Sequence, residues 1–300
     1  MNSRWIIYFF TLPILSLTLV NSSFPHPPIN QGSIEFKHNG ATTRILTLTE
    51  IDQHLTKQTL KIFETHEKKE RIYQVYSASS LFDFIFGSNW RTSEEIVFIC
   101  EDHYQPSIPV KKFLQHDAYF AFASADHQPF TLKNLLQNDE KVQLGPLYLI
   151  WNNLNSRDLL NEGATDMPYQ IISIELTAFA TRFPTIFPPK NASIKVQNGF
   201  LHFRKHCFAC HTINGEGSGK AMELNYPVSV TEYIQPAYLK LWIDNPTAIR
   251  FNSKMPPLAP EIPNRNKVID EIIAYLAAMR TIKPQPHITH RHNTHQSDDN

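Results

Sequence analysis

Residues 207–211 read Cys-Phe-Ala-Cys-His, and no other feature of the 300-residue chain restricts what it can fold into so severely. Two cysteines three apart lie on one helical turn, so both sulfurs can reach the edge of a single flat ligand. The imidazole of the next residue, His211, projects from the same face. This is the spacing of c-type haem attachment, in which Cys207 and Cys210 form thioethers with the two vinyl groups of a porphyrin and His211 approaches the iron. Two other uses of the pair compete. Zinc wants four ligands, usually with a second Cys or His pair at a defined spacing, and none lies nearby. A thioredoxin-like redox pair wants a preceding strand, whereas Ile194–His206 reads as a helix. The third cysteine, Cys100, stands alone, so the chain has no even disulfide framework.

The formal net charge is zero, which argues against binding nucleic acid through bulk phosphate attraction. Residues 1–22 read as a signal peptide or N-terminal anchor: Arg4 supplies the positive start, Trp5 to Val20 is uncharged, and Val20-Asn21-Ser22 offers a cleavage site. The chain is therefore expected outside the cytoplasm, in the periplasm, with membrane contact only through that segment if it is not cleaved. No later segment has enough consecutive apolar residues to span a bilayer. A proline-rich join at Phe187-Pro188-Pro189-Lys190 divides the remainder into 33–181 and 191–283. The last stretch, 284–300, is a polar tail expected to be disordered, whose His287, His290, His292 and His295 are better read as solvated than as a metal site. From Asn191 to Lys283 there are 11 Lys/Arg and 7 Asp/Glu, against 15 and 19 from Met1 to Pro189. That split either is chance or gives a basic face that docks on an acidic partner or on its own neighbour.

The first part reads as mixed α/β. Strands are expected at Ser33–Lys37, Leu60–Phe63, Ile72–Tyr76, Ile96–Cys100, Leu147–Trp151 and Tyr169–Ile174, with a charged turn at Glu67–Glu70. A helical turn is expected at Glu50–Leu55. A short helix is expected over Leu81–Phe86, capped by Ser79 or Ser80 and ended by Gly87. The second part reads as all α, with helices at Ile194–His206, Ala237–Ile243 and Lys267–Arg280. In the last of these Val268, Ile272, Ile273, Leu276 and Met279 recur at helical spacing.

Residues 191–283 resemble a class I cytochrome c domain. The resemblance rests on Gly199 and Phe203, then "CFACHTINGEG", "SKMPPL" and a terminal helix containing "IIAYL". It implies an all-α cytochrome c fold whose first and last helices cross at a glycine–aromatic contact, here Gly199 or Phe203 with Tyr275. It also implies one covalent haem c and a second axial ligand from the proline-bounded methionine, Met255. The residues agree. Met222 follows His211 too closely to circle the ring easily, and Met279 sits on an apolar helix stripe. Met255 lies far downstream in a loop stiffened by Pro256 and Pro257. His206 or an open site are the remaining options. Trp242 either donates its indole N–H to a haem propionate or packs in the core. Arg250 and Lys254 flank the methionine and read as solvated surface before docking rim. The glycines of Thr212–Gly219 allow that loop to pass close to the proximal side.

Residues 33–176 resemble, in the order of their elements, the molybdopterin-binding domain of the sulfite oxidase family: "IVFICEDHYQPSIPVKKFLQHDAYFAFA" is followed by "LGPLYLIWNN" and "YQIISIEL". The sequence departs from that family where chemistry would occur. His103 follows Asp102 where glycine is usual, Cys100 sits in an apolar run, and no Arg/His cluster offers itself to a pterin phosphate. Molybdopterin is therefore not expected, and Asp102 and His103 read as turn residues. The expected function is single-electron transfer between redox proteins, not enzymatic catalysis, with the first domain as scaffold or docking module. The alternative is a molybdenum oxidoreductase with a fused cytochrome c acceptor.

Overall fold

The computed structural model describes residues 32–284, so the expected signal segment and most of the histidine-rich tail lie outside the described residues. Strand Glu95–Cys100 organises the first part. Five of its six residues are buried, as befits a strand covered on both faces. It pairs with Ile171–Thr177 on one side and Ser107–Pro109 on the other, within a five-stranded mixed sheet that continues through Ser33–His38 to Ala41–Thr47. Ser33–His38 runs parallel to Ile171–Thr177, and the other neighbours are antiparallel. A second sheet of four antiparallel strands has the order Tyr148–Trp151, Ala118–Ser124, Lys69–Ser77, Gln58–Glu64. The two sheets and helix Ala78–Phe86 share one core. Phe82 of that helix sits within it, meeting the rings of Trp90, Phe113 and Phe120 at 5.2, 5.4 and 5.7 Å.

Several expected elements shift for local reasons. The N-cap of helix Ala78–Phe86 is Ser77, whose hydroxyl accepts from Ser80 N–H, so neither Ser79 nor Ser80 caps it. Gly87, at φ 68, ends it as expected. The first helical turn is Leu48–Asp52, set earlier by a capping box between Thr47 and Glu50. Lys68 takes a positive φ at the charged turn, and the strand begins at once with Lys69. Gln170 does the same, so the last strand starts at Ile171. Strands Ala41–Thr47 and Ala118–Ser124 carry no clean alternation of buried and exposed residues, and their sequence gives little sign of them.

In the second part helix Ile194–His206 has the expected bounds, and helices Pro236–Asp244 and Arg265–Met279 lie within two residues of theirs. The expectation of purely helical structure needs one correction. Thr212–Ile213 and Glu216–Gly217 form a small hairpin across Asn214-Gly215, a pair suited to a tight turn. The first and last helices cross at Gly199, where an added Cβ would stand 1.9 Å from the Glu271 carbonyl oxygen and 2.9 Å from Tyr275 Cβ. Phe203 and Tyr275 pack at 5.1 Å beside the crossing, and the Tyr275 hydroxyl donates to Ile186 O at 2.6 Å.

By packing, the join comes earlier than the prolines. Phe179, Phe183 and Ile186 are buried in the helical core, and Val97 of strand Glu95–Cys100 reaches it too. Of five ion pairs between the parts, four place the acid on the sheet side and the base on the helical side: Glu95–Arg204, Asp102–Lys220, Glu162–Lys205 and Glu140–Lys254. Lys68–Glu261 is the reverse. The charge split of the sequence is thus used between neighbours in one chain.

Glu95 shows what this interface costs and gains. It is 2 % exposed, and burial pushes its carboxyl up, against the opposing pull of Arg204 and the Ser107 hydroxyl at 3.0 Å. The Arg204 guanidinium also lies over the Phe179 ring at 3.6 Å. Arg204→Ala leaves a buried carboxylate unpaired and is expected to lower stability by about 3 kcal/mol at neutral pH. A carboxyl whose folded pKa is raised favours the folded state more as pH falls, because it then enters the interior protonated. Urea denaturation of the variant therefore shows a smaller loss at mildly acid pH than at neutral pH. An equal loss at both would sink this account.

Candidate haem site

The end of helix Ile194–His206 delivers the two cysteines. The helix closes with Cys207 N–H donating to Phe203 O, and the next turn returns Cys210 N–H and His211 N–H to Cys207 O, each at 3.0 Å. Cys207 and Cys210 both line one half-open cavity of about 160 Å³. Burial pushes both thiols up, Cys207 to about 12 and Cys210 to about 11. Redox dithiols and metal-binding thiolates are activated in the opposite direction. Among the described residues no three His, Cys, Asp or Glu side chains converge as a cation site would require.

His211 is oriented from behind. Its Nδ1 lies 2.9 Å from Met222 O, and a carbonyl can only accept, so Nδ1 carries the proton and the Nε2 lone pair is left for a metal. Burial holds the imidazole below its usual range, against the pull of that carbonyl, which favours the neutral, ligating form. The hairpin passes close by. A Cβ on Gly217 would come within 2.7 Å of His211 O and 2.6 Å of the Phe208 ring, so the backbone contact needs glycine there. Gly219 has open space and needs no such explanation.

Met255, Pro256 and Pro257 line the same cavity as the cysteines. Their loop is pinned from both parts of the chain. Leu258 N–H donates to Ile243 O at 3.0 Å, and Arg265 Nε donates to Leu258 O at 2.8 Å. From the sheet side, Gln137 Nε2 donates to Lys254 O at 3.1 Å, and Asn138 Nδ2 to Ser253 O at 2.9 Å. His206 also lines the cavity, with Nδ1 3.4 Å from Thr165 Oγ1, and is pushed down to about 3 by burial and by the charge of Lys205. Met222 is exposed and serves through its carbonyl, while Met279 is fully buried in the helical core.

Trp242 is not brought to the cavity wall. It is half-buried on helix Pro236–Asp244, and its neighbour Ile243 lines the cavity instead. Arg250 is exposed, and Lys254 pairs with Glu140 at 3.3 Å. Asp102 and His103 do turn chemistry. Asp102 accepts from Tyr104 N–H at 2.9 Å, and His103 has φ 67. The same turn meets the haem motif: Gln105 N–H donates to Ala209 O at 2.8 Å, Ser218 Oγ donates to His103 O, and Lys220 pairs with Asp102. Cys100 is 1 % exposed, and burial holds its thiol well above its usual value.

The opposite wall was not foreseen. His66, Tyr104, Asn134, Gln137, Thr165, Met167 and Tyr169 of the sheet part line the cavity, so both parts of the chain enclose it. No local motif marks them, because segments 40 to 140 residues away bring them there. The residues present fit a c-type haem: two half-buried thiols and a thioether line one cavity, and the adjoining residue His211 has Nδ1 engaged and its Nε2 lone pair left over. Met255 and His211 would take the iron, and the cysteines the vinyl groups.

No curated protein matches the chain. Residues 196–280 match the cytochrome c family, and the sulfite oxidase resemblance of the preceding residues gains no support from any comparison. The C-terminal part of this chain is thus similar to cytochrome c.

Proposed function

We propose that this chain is an exported, monohaem c-type cytochrome that passes single electrons between protein partners. The observation that carries this reading is one cavity receiving Cys207, Cys210 and Met255 beside an imidazole oriented by Met222 O. Haem c bound there supplies a one-electron iron couple. A His/Met pair raises its potential relative to bis-His ligation and leaves no open position for ligand chemistry. The chain's own residues hold that couple in place. His211 is fixed in one tautomer, the Met255 loop is tied down on both sides, and the sheet part supplies the facing wall of the cavity. Export suits covalent attachment, because thioethers retain the cofactor in an open compartment. Partners with an acidic face suit the helical part's excess of basic residues, although several of those are already paired within the chain.

Metal analysis tests the reading. One iron per chain and no molybdenum is the expected result, and stoichiometric molybdenum would overturn it in favour of the oxidoreductase. Met255 is tested separately. Met255→Ala is expected to abolish the weak long-wavelength sulfur–iron band of the oxidised protein and to let the ferrous form bind carbon monoxide readily. Survival of that band in the variant would transfer the ligand role to another residue.

A further inference from the structure

The sheet part brings one buried ionic group up to the haem cavity. Glu64, at the end of strand Gln58–Glu64, is fully buried. Its carboxylate accepts from the Tyr73 hydroxyl at 2.9 Å, the Tyr148 hydroxyl at 3.0 Å, His66 Nδ1 at 2.9 Å and His66 N–H at 3.2 Å. Burial alone would push the carboxyl up, but the bonds from His66 and Tyr73 outweigh it and hold the group below its usual range. Four donors converge on the two oxygens of Glu64, an arrangement that suits a deeply desolvated carboxylate.

His66 stands between that charge and the cavity. It is 7 % exposed, lines the cavity, and has no partner for Nε2 among the described residues. Tyr169 and Tyr148 pack against its ring at 5.9 and 6.3 Å. Arg71, over the Tyr73 ring at 5.4 Å, is taken up by Glu67 and Asp126. Across the cavity Lys220 is taken up by Asp102. An ion buried this way costs several kcal/mol to desolvate, and apolar side chains would pack as well without it. Its placement beside the cavity gives it a role that packing does not.

We propose that the Glu64 carboxylate, presented through His66 at the cavity wall, lowers the midpoint potential of the haem. Ferric haem carries one more positive charge than ferrous haem, so a fixed negative charge in a low-dielectric wall stabilises the ferric form. The sheet part is then the half of the site that sets the potential. This assignment rests on the haem reading above.

The test is a potentiometric titration of the intact haem-loaded protein followed by its absorption. Glu64→Gln keeps the shape and removes the charge. It is expected to raise the ferrous-to-ferric ratio at fixed poise at least tenfold, about 59 mV for a one-electron couple. The long-wavelength band should be unchanged, showing that the ligation is intact. Should that variant fail to accumulate, Glu64→Gln with His66→Gln makes a neutral pair of similar size with the same expected rise. Tyr148→Phe removes one donor and no charge, and shifts the potential less than either. Haem bands with an unmoved potential in the neutral variants overturn this assignment alone. A parent protein without haem bands overturns the haem reading and this assignment together.

Discussion

Replacing Cys207 and Cys210 together by alanine is expected to abolish covalent haem completely. In the parent, haem should remain with the polypeptide through acid–acetone extraction and on a denaturing gel. In the double variant none should remain, and each single variant should keep a reduced amount through its surviving thioether. The reason lies in how the site is held. His211 and Met255, as the proposed iron ligands, would release the iron once the fold is lost, whereas a thioether survives unfolding. The consequence extends beyond the cofactor. The helical core contributes Ile243 and Leu258 to the wall of the cavity. A ligand that binds only the folded state stabilises it, so a chain that cannot retain haem should unfold at lower denaturant and accumulate poorly. Haem that survives extraction from the double variant would remove the basis of the site.

Gly199→Ala is expected to be the most damaging single-methyl change in the helical part. Helix propensity alone would favour alanine by about 1 kcal/mol in a helix interior. The geometry opposes it more strongly. The added Cβ would meet backbone atoms of Glu271 at 1.9 and 2.6 Å, and backbone cannot swing aside as a long side chain can. The two helices must separate, which loosens Phe203 and Tyr275 and the bond from Tyr275 to Ile186 O. Overpacking a tight contact costs up to about 3 kcal/mol, and a backbone clash lies at that end or beyond. The net loss should therefore exceed about 2 kcal/mol, read as a lowered urea midpoint of the haem-loaded protein. A variant as stable as its parent would show that the crossing is looser than described.

Both results concern residues that were visible from the start. Cys207, Cys210 and His211 are adjacent in sequence, so the geometry of one turn suffices to relate them. The contact of Gly199 or Phe203 with Tyr275 was what the cytochrome c resemblance implied, and both meet Tyr275 in the structure. Met255 was legible because two prolines stiffen its loop and the competing methionines sit badly. Trp242 was left between a propionate contact and core packing because an indole on an amphipathic helix gives no sign of which neighbour will face the cavity; Ile243 lines it and Trp242 does not. Strand Ala118–Ser124 went unrecognised because its buried and half-buried residues do not alternate, so its pattern lacks the period of two. Asp102 and His103 were rightly read as a turn, but that the turn abuts Ala209 and Ser218 was invisible, since more than 100 residues separate them.

The sequence points to the covalent anchoring points and the proximal candidate through spacing within one turn, and to the helices of the last third through their period, because covalent geometry there fixes the relation between side chains. The distal candidate, Met255, rests on its prolines and on the cytochrome c resemblance. The second wall of the cavity is visible only in the packed chain. His66, Tyr104 and Tyr169 come from separate segments of the sheet part, and nothing local ties them to the haem motif. Their meeting follows from the docking of Phe179, Phe183 and Ile186 into the helical core and from the ion pairs that fix that orientation. Burial and pairing of that kind are properties of the whole packed chain.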